Sequence, residues 1–551
     1  QNHPSVTALS DGGFVVTWQS YGQDGAQKGV FGQRYDVSGA PVGNEFQVNS
    51  YIAGDQFNPS IAALSDGGFV VTWHSSDQDG DSLGIFGQRY DVTGASVGSE
   101  FQINTFTSGP QYYPSVAPLS DGGFVVTWQS YGQTGSGHKV FGQRYDASGA
   151  SVGSEFQVNT HTSHEASVAA LSDGGFVVTW SSSTGDGAGE GVFGQRYDAT
   201  GASVGSEFQI NTFTSGPQNA SSVATLSDGG FVVTWLSLFQ DGNGSGIFGQ
   251  RYDASGASVG NEFQVNTHTQ SEQHKSSVAA LSDGGFVVTW QSKDQDGSDY
   301  GVFGQRYDVA GAPVDSEFQI NTHTQSGQSE PSVTALSDGG FVVTWQSEDQ
   351  DGSGGGIFAR IFSVSTELSG TDGNDILVGG NDDDILTGGG GNDRLEGGAG
   401  DDKLDGGAGT DVAMFSGNAV DYNFGVSGSS ITVTDNAGAD GSDILTGIEE
   451  LRFADMTLAV NGTTVSAIND APLTGEDSAA TVEDIEVTIL ASDLLSNDTD
   501  GDGDSLNLTS VGKAVNGSVL LDGNGDVVFT PEADFNGTAL FDYTVSDGNG
   551  G

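Results

Sequence analysis

The chain has 551 residues, 88 of them glycine, with 35% apolar and only 16% charged residues, room for three or four domains of uncharged strands and tight turns. Acidic residues outnumber basic ones 73 to 15, a formal charge of −58, which works against nucleic-acid partners and against anionic membrane surfaces. Cysteine is absent, which excludes disulfides and thiolate metal sites and leaves divalent cations as the expected cross-links.

The charge is uneven: residues 1–363 carry 37 acidic and 11 basic side chains, net −26, whereas 364–551 carry 36 and 4, net −32. Cations should concentrate in the second stretch. No apolar run is long enough to span a bilayer and no N-terminal signal pattern is visible, so membrane insertion is not expected. Starting at Gln1 and stopping in a glycine run, the chain is expected to be a piece of something longer.

Residues 1–363 repeat one unit seven times, each with a single tryptophan: Trp18, Trp73, Trp128, Trp180, Trp235, Trp290 and Trp345, at spacings of 55, 55, 52, 55, 55 and 55. The first copy reads PSVTAL, SDGG, FVVTWQS, a glycine-rich loop, VFGQRYD, VSGAPVG and EFQVN. Short runs of Val, Phe, Tyr, Trp and Thr between turn residues read as strands, and SDGG between two of them reads as a hairpin. Four strands per unit and seven units predict a seven-bladed β-propeller, with a straight β-solenoid as the rival. The fourth strand occurs only six times, at Glu45, Glu100, Glu155, Glu207, Glu262 and Glu317, so the missing one is expected just upstream of Gln1, closing the ring.

Arg34, Arg89, Arg144, Arg196, Arg251, Arg306 and Arg360 recur in the third strands. They read as ion pairs to Asp36-type or Glu45-type acids that lock the blades, in preference to a ring that captures an anion. The tryptophans read as core, since FVVTW alternates like a buried strand. The loop after each tryptophan strand carries Asp77 and Asp79 (DQDGDS), Asp294 and Asp296 (DQDGSD), and Asp349 and Asp351 (DQDGSG). Asp-x-Asp-Gly suits a calcium loop; the alternative is an ordinary Asp/Gly turn, and Thr134 interrupts the pattern in the third copy.

From Gly370 the register becomes GTDGNDILV, GGNDDDILT, GGGGNDRLE, GGAGDDKLD, GGAGTDVAM, placing Asp375, Asp384, Asp393, Asp402 and Asp411 nine residues apart. This fits the calcium nonapeptide repeat and resembles the RTX family of secreted bacterial proteins over about 45 residues. Two nonapeptides make one coil of a parallel β-roll, so turns eighteen residues apart stack. Asp375 with Asp393, Asp393 with Asp411, and Asp384 with Asp402 then help enclose Ca²⁺, with Asp372 as a further candidate ligand. Leu377, Leu386, Leu395 and Leu404 fill an interior too thin to order the chain without metal. Asp382 stands where a glycine belongs and is expected to loosen that turn.

Residues 415–466 read as a β-rich cap on residues 364–414. After the linker AINDAP, residues 467–551 resemble the cadherin-like and immunoglobulin-like sandwich modules of giant bacterial surface proteins. Asp498, Asp500, Asp502 and Asp504 have D-x-D-x-D spacing without the flanking helices or twelfth-position Glu of an EF-hand, so they read as a calcium loop on a sandwich, with Glu483, Asp484 and Asp547 as extra ligands.

The whole is therefore all-β. Eight scattered histidines, no H-E-x-x-H and near-identical blades argue against catalysis. The RTX resemblance implies type I secretion and Ca²⁺ as the cofactor. The leading expectation is an extracellular, calcium-dependent surface or adhesive protein, with a surface glycan, a protein ligand or self-association as possible partners. The alternatives are a multivalent lectin with up to seven equivalent pockets between blades, and part of a secreted RTX-type hydrolase.

Overall fold

The computed structural model describes residues 1–551 except 26, 185, 188, 353, 364–366, 381–382, 437–439, 463, 468–471, 501–504 and 549–551. The chain divides into two compact units, Gln1–Val364 and Ser365–Gly551.

In the first unit each repeat forms one antiparallel sheet. In the first blade the strands Asn2–Ala8, Phe14–Tyr21, Lys28–Tyr35 and Pro41–Gln47 lie in sequence order. Six sheets have four strands; the seventh has three, Gln328–Ala335, Phe341–Glu348 and Gly355–Phe362. The first strand of every blade touches those of its two neighbours, the first blade against the seventh included, so the first strands surround the axis and the ring is closed. This is the seven-bladed propeller expected from the sequence.

The second strand is buried up to its last residue, which explains its unbroken apolar run. Its tryptophan seals the seam between blades: Trp128 packs with Val70 and Ile85 of the preceding blade, and Trp18 with Leu336 and Val342 of the seventh. Closure at that last seam also uses Gln1, whose amine donates to the Gly355 carbonyl at 2.7 Å, and His3, 2.7 Å from the Glu330 carboxylate.

The arginine reading needs two corrections. The partner is the SDGG aspartate of the same blade: Arg34–Asp11 at 3.0 Å, Arg89–Asp66 at 3.3 Å, Arg196–Asp173 at 3.2 Å, with Arg144, Arg251 and Arg306 alike. Asp36 instead closes its own turn, accepting from the Ser38 and Ala40 amides. Nor is Arg360 the seventh member. Val15 pairs with Arg34, but Val342 pairs with Ile361, so Arg360 stands in the register of Gln33. Its guanidinium lies 4.9 Å over the Phe362 ring.

The same strand departs at one more place. In the first six blades a glycine such as Gly32 lies beneath the fourth-strand phenylalanine, and a Cβ there would come within 2.7 Å of the Phe46 ring. The seventh blade has Ala359, so a fourth strand carrying phenylalanine does not fit it without a shift.

In the second unit the nonapeptides form two parallel ladders. Ile376–Val378, Arg394–Glu396 and Val412–Met414 make one; Glu367–Ser369, Ile385–Gly390 and Lys403–Ala408 make the other. Partners such as Ile385 and Lys403 are eighteen residues apart, the coil length read from the sequence. Leu386, Leu395 and Leu404 are fully buried, while Leu377 is only partly so.

The segment expected as a separate cap continues the roll. Ser442–Thr446 and Glu450–Arg452 join the two ladders in parallel, and antiparallel strands follow only outside them. Phe415, Tyr422, Leu445, Leu451 and Phe453 thicken the core at this end. The last part of the chain has two small sheets: Val487–Ile489, Gly517–Leu521 and Val527–Pro531 in one, Asn507–Val515 and Leu540–Ser546 in the other.

Candidate calcium centres

Three repeat aspartates of the roll, Asp393, Asp402 and Asp411, use their two oxygens differently. One oxygen stitches successive coils: Asp393 Oδ1 accepts the Asp375 amide at 2.8 Å, Asp402 Oδ1 the Asp384 amide at 2.7 Å, and Asp411 Oδ1 the Asp393 amide at 2.7 Å. The other, Oδ2 of Asp393, Asp402 and Asp411, is buried and has no hydrogen-bond partner among the described residues. Buried carboxylate oxygens in a folded protein are ordinarily satisfied, and three of them, Asp393 and Asp411 in one ladder and Asp402 in the other, fit the ligand shells of cations.

The glycines complete the cage. A Cβ on Gly388 or Gly397 would collide with the Oδ2 of Asp393 or Asp402, so the repeat keeps that space open. Gly389, Gly398 and Gly407 have φ near +100°, a turn that only glycine makes without strain and that lets backbone carbonyls take part. Among the described residues no three acidic or histidine side chains converge as a ligand set, so carbonyls must supply much of the coordination, as hard cations accept.

Electrostatics point the same way. Burial, together with Asp384, Asp383 and Asp401, pushes the Asp402 carboxyl up to about 6. Burial with Asp402, Asp440 and Asp401 pushes Asp443 up to about 8, and burial with Asp393 and Asp405 raises Asp411. The ladder resists its own charge, and a divalent cation reverses that balance.

Asp443 and Glu449 were not singled out from the sequence. Asp443 Oδ1 accepts the Asp402 amide at 2.9 Å and Glu449 Oε2 the Asp411 amide at 2.9 Å, continuing both ladders by one coil. The signal was present: DILTG at 384–388 recurs at 443–447. A parallel ladder at the preceding position links Asn374, Asn392 and Thr410, and Asp383, Asp401 and Ser442. Asp375 is half-buried and accepts the Thr371 amide, Asp384 is buried, and Asp372 is exposed. Asp382 lies outside the described residues.

In the last domain Asp502 and Asp504 also lie outside the described residues. Asp498 is buried and accepts the Gly475 amide at 2.7 Å, and Asp547 is buried as well. Asp500 is half-buried. Tyr543 links Asp498 to Asp477, a residue absent from the sequence reading, through an O–H that donates to Asp477 at 2.8 Å. Glu483 is exposed, and Asp484 accepts the Asp534 amide.

The propeller loops have a clear structural use. Asp77, Asp294 and Asp349 adopt φ of 58°, 62° and 60°, and their amides close the loop on Ser82, Asp299 and Gly354. Asp79 and Asp296 turn back to accept from Asn104 and Asn321, just beyond the fourth strand, each at 3.2 Å. Asp351 occupies the same loop position in the seventh blade. The intervening glutamines, Gln78 and Gln295, donate to Glu100 and Glu317. Glu100 in turn accepts the Ser50 amide of the preceding blade at 2.6 Å, so the glutamate clips blades together. Replacing Asp296 with Ala should cost about 1 kcal/mol of stability and leave calcium stoichiometry by isothermal titration unchanged.

Among the described residues no helix is long and apolar enough to cross a membrane. Comparison with curated proteins returned no match. Similar solved structures include a protein of unknown function from Dyadobacter fermentans (12% identity, 66% of this chain and 94% of that one, TM-score 0.42). Others are an α-L-arabinanase of Penicillium chrysogenum complexed with arabinobiose (13%, 57% and 95%, TM-score 0.39) and an α-L-arabinofuranosidase of Fusarium graminearum (11%, 55% and 92%, TM-score 0.39). At such identities the likeness is one of fold only. Family models match two stretches: residues 367–395 and 378–413 match the RTX calcium-binding nonapeptide repeat, and residues 468–551 match the cadherin-like domain. The chain thus joins a β-propeller to an RTX calcium-binding nonapeptide roll and a cadherin-like domain.

Proposed function

We propose that this is an extracellular, calcium-dependent structural or adhesive protein, in which a rigid propeller head is carried on modules that calcium stiffens. The observation that supports it most is the set of half-satisfied buried carboxylates, those of Asp393 and Asp411 in one ladder and Asp402 in the other, the latter continued by Asp443. Sites of roughly 10⁻⁴–10⁻³ M affinity stay empty in a cell and fill outside it, so an acidic segment of this kind is unfolded during export and ordered afterwards. The resemblance to RTX proteins adds type I secretion to the reading, and no catalysis is included in it.

The test is limited proteolysis and circular dichroism of the full chain, titrated with calcium after chelation. Cleavage within 367–466 should be fast with chelator and slow with calcium, with the propeller resistant in both. Equal resistance in the two conditions would refute the reading.

A further inference from the structure

The seven repeats are nearly copies, and the places where they differ are not scattered. LSDGGFVVTW is spelled identically in all seven, at 9–18 and its equivalents. By contrast the third position of the repeat reads His, Asn, Tyr, Glu, Ala, Lys and Glu from the first blade to the seventh. The twenty-eighth reads Lys, Leu, His, Glu, Ser, Tyr and Gly. A cavity of about 510 Å³ is lined by residues at only four repeat positions, the second, third, nineteenth and twenty-eighth, contributed by the third to sixth blades. Four successive blades meet only beside the axis, so the cavity sits at the mouth of the central channel.

The backbone aims these side chains. The third-position residue of every blade, from His3 to Glu330, has φ between +39° and +56°, within a bulge in the first strand. This conformation is costly for any residue with a Cβ, yet no blade has glycine there. Bulges of this kind re-aim side chains beside sites.

At four of the seven seams the nineteenth-position side chain accepts the third-position amide of the next blade, and at the seventh-to-first seam the His3 amide donates to Glu330 instead. Gln19 takes Asn58 at 3.0 Å, His74 takes Tyr113 at 3.3 Å and Gln291 takes Glu330 at 2.9 Å. In the cavity sector Ser181 keeps the clip, taking the Ala220 amide at 3.2 Å, and the other two seams give it up. Leu236 has no atom to accept from Lys275, and Gln129 Oε1, on a side chain only 4% exposed, has no partner among the described residues. His138 Nδ1, also buried, has none either. Both unpartnered atoms belong to residues that line the cavity.

We infer that this mouth binds an uncharged saccharide of one or two rings. Tyr112 and Tyr113, with ring centres 6.0 Å apart, offer apolar faces to a sugar ring. Gln129, His138, Glu165 and Lys275 offer donors and acceptors to its hydroxyls. Two carboxylates, Glu165 and Glu190, against the single ammonium of Lys275, on a unit with net charge −26, disfavour phosphates and acidic sugars. A mixed polar and aromatic cavity that is local to one sector accommodates one ligand, not seven equivalent ones. The inference deepens the adhesive reading by naming what the head holds, and it does not depend on the calcium ladder.

The test is a glycan array followed by isothermal titration of the full chain with maltose, cellobiose, lactose and diacetylchitobiose, and with sialyllactose as the anionic member. At least one neutral disaccharide should bind with a stoichiometry of one. Tyr113→Ala and Glu165→Gln should each weaken it about tenfold with the unfolding temperature unchanged. Asn58→Ala, at the same repeat position outside the cavity, should leave affinity intact. Binding should persist in chelator, so a failure of the calcium reading leaves this one standing. Silence of all neutral glycans, preference for sialyllactose, a stoichiometry near seven, or indifference to both cavity variants would overturn it.

Discussion

Replacing Asp402 with Asn should change the sign of its effect with calcium. The amide oxygen still accepts from the Asp384 amide, so the stitch between coils survives. The charge does not. Burial raises the Asp402 carboxyl from 3.8 to about 6, which means that its ionisation opposes folding as pH rises through that range. At pH 7, with calcium too low to fill the sites, the variant roll should therefore be the more ordered of the two by circular dichroism. With calcium present the order reverses, because the buried Oδ2 is lost as a charged ligand and binding at that cage weakens on the order of a hundredfold. Circular dichroism of the full chain at limiting calcium and urea titration in saturating calcium measure both signs. A variant that is weaker in both conditions would mean that Asp402 is structural and holds no cation.

The second large effect belongs to the propeller seams. Trp128 is fully buried between two blades. Trp128→Ala should destabilise the propeller by about 3–5 kcal/mol, through lost contacts and the cavity left behind. Trp128→Phe should cost much less, because the indole N–H has no hydrogen-bond partner among the described residues to forfeit. Thermal unfolding in calcium, followed by tryptophan fluorescence from the six remaining indoles, separates the two. Equal losses would show that the indole N–H matters after all, through a contact that distances alone do not reveal.

How far these features could be read from the sequence depended on how local their cause is. Strand content, blade count and the eighteen-residue coil come from short-range spacing, and all three stand in the structure. The arginine partners did not, because Asp11 and Asp36 are both near Arg34 and only the hairpin register separates them. Arg360 was misassigned for the same reason: it lies in the right strand, one residue out of step. Asp443 was missed although its DILTG context repeats that of Asp384, because the nonapeptide count is broken between them. The channel mouth could not be read at all by proximity along the chain. Tyr112, Glu190 and Lys275 become neighbours only when the ring closes, although their equivalent positions in the repeat were open to inspection.

The parallel ladders of the roll also set a rule for its growth. Because Ile385 lies beside Lys403 and Lys403 beside Ile444, each added turn is one strand spacing, about 4.8 Å, stacked on the last. Inserting eighteen residues of the same pattern lengthens the rod by that increment and adds carboxylates in proportion. Within the nonapeptides an insert that is not a multiple of nine puts aspartates where glycines must bend, whereas the longer step from Lys403 to Ile444 spends its surplus on antiparallel strands before rejoining the ladder. Evolution along this stalk is therefore digital, and reach can be tuned in steps while the ends stay unchanged.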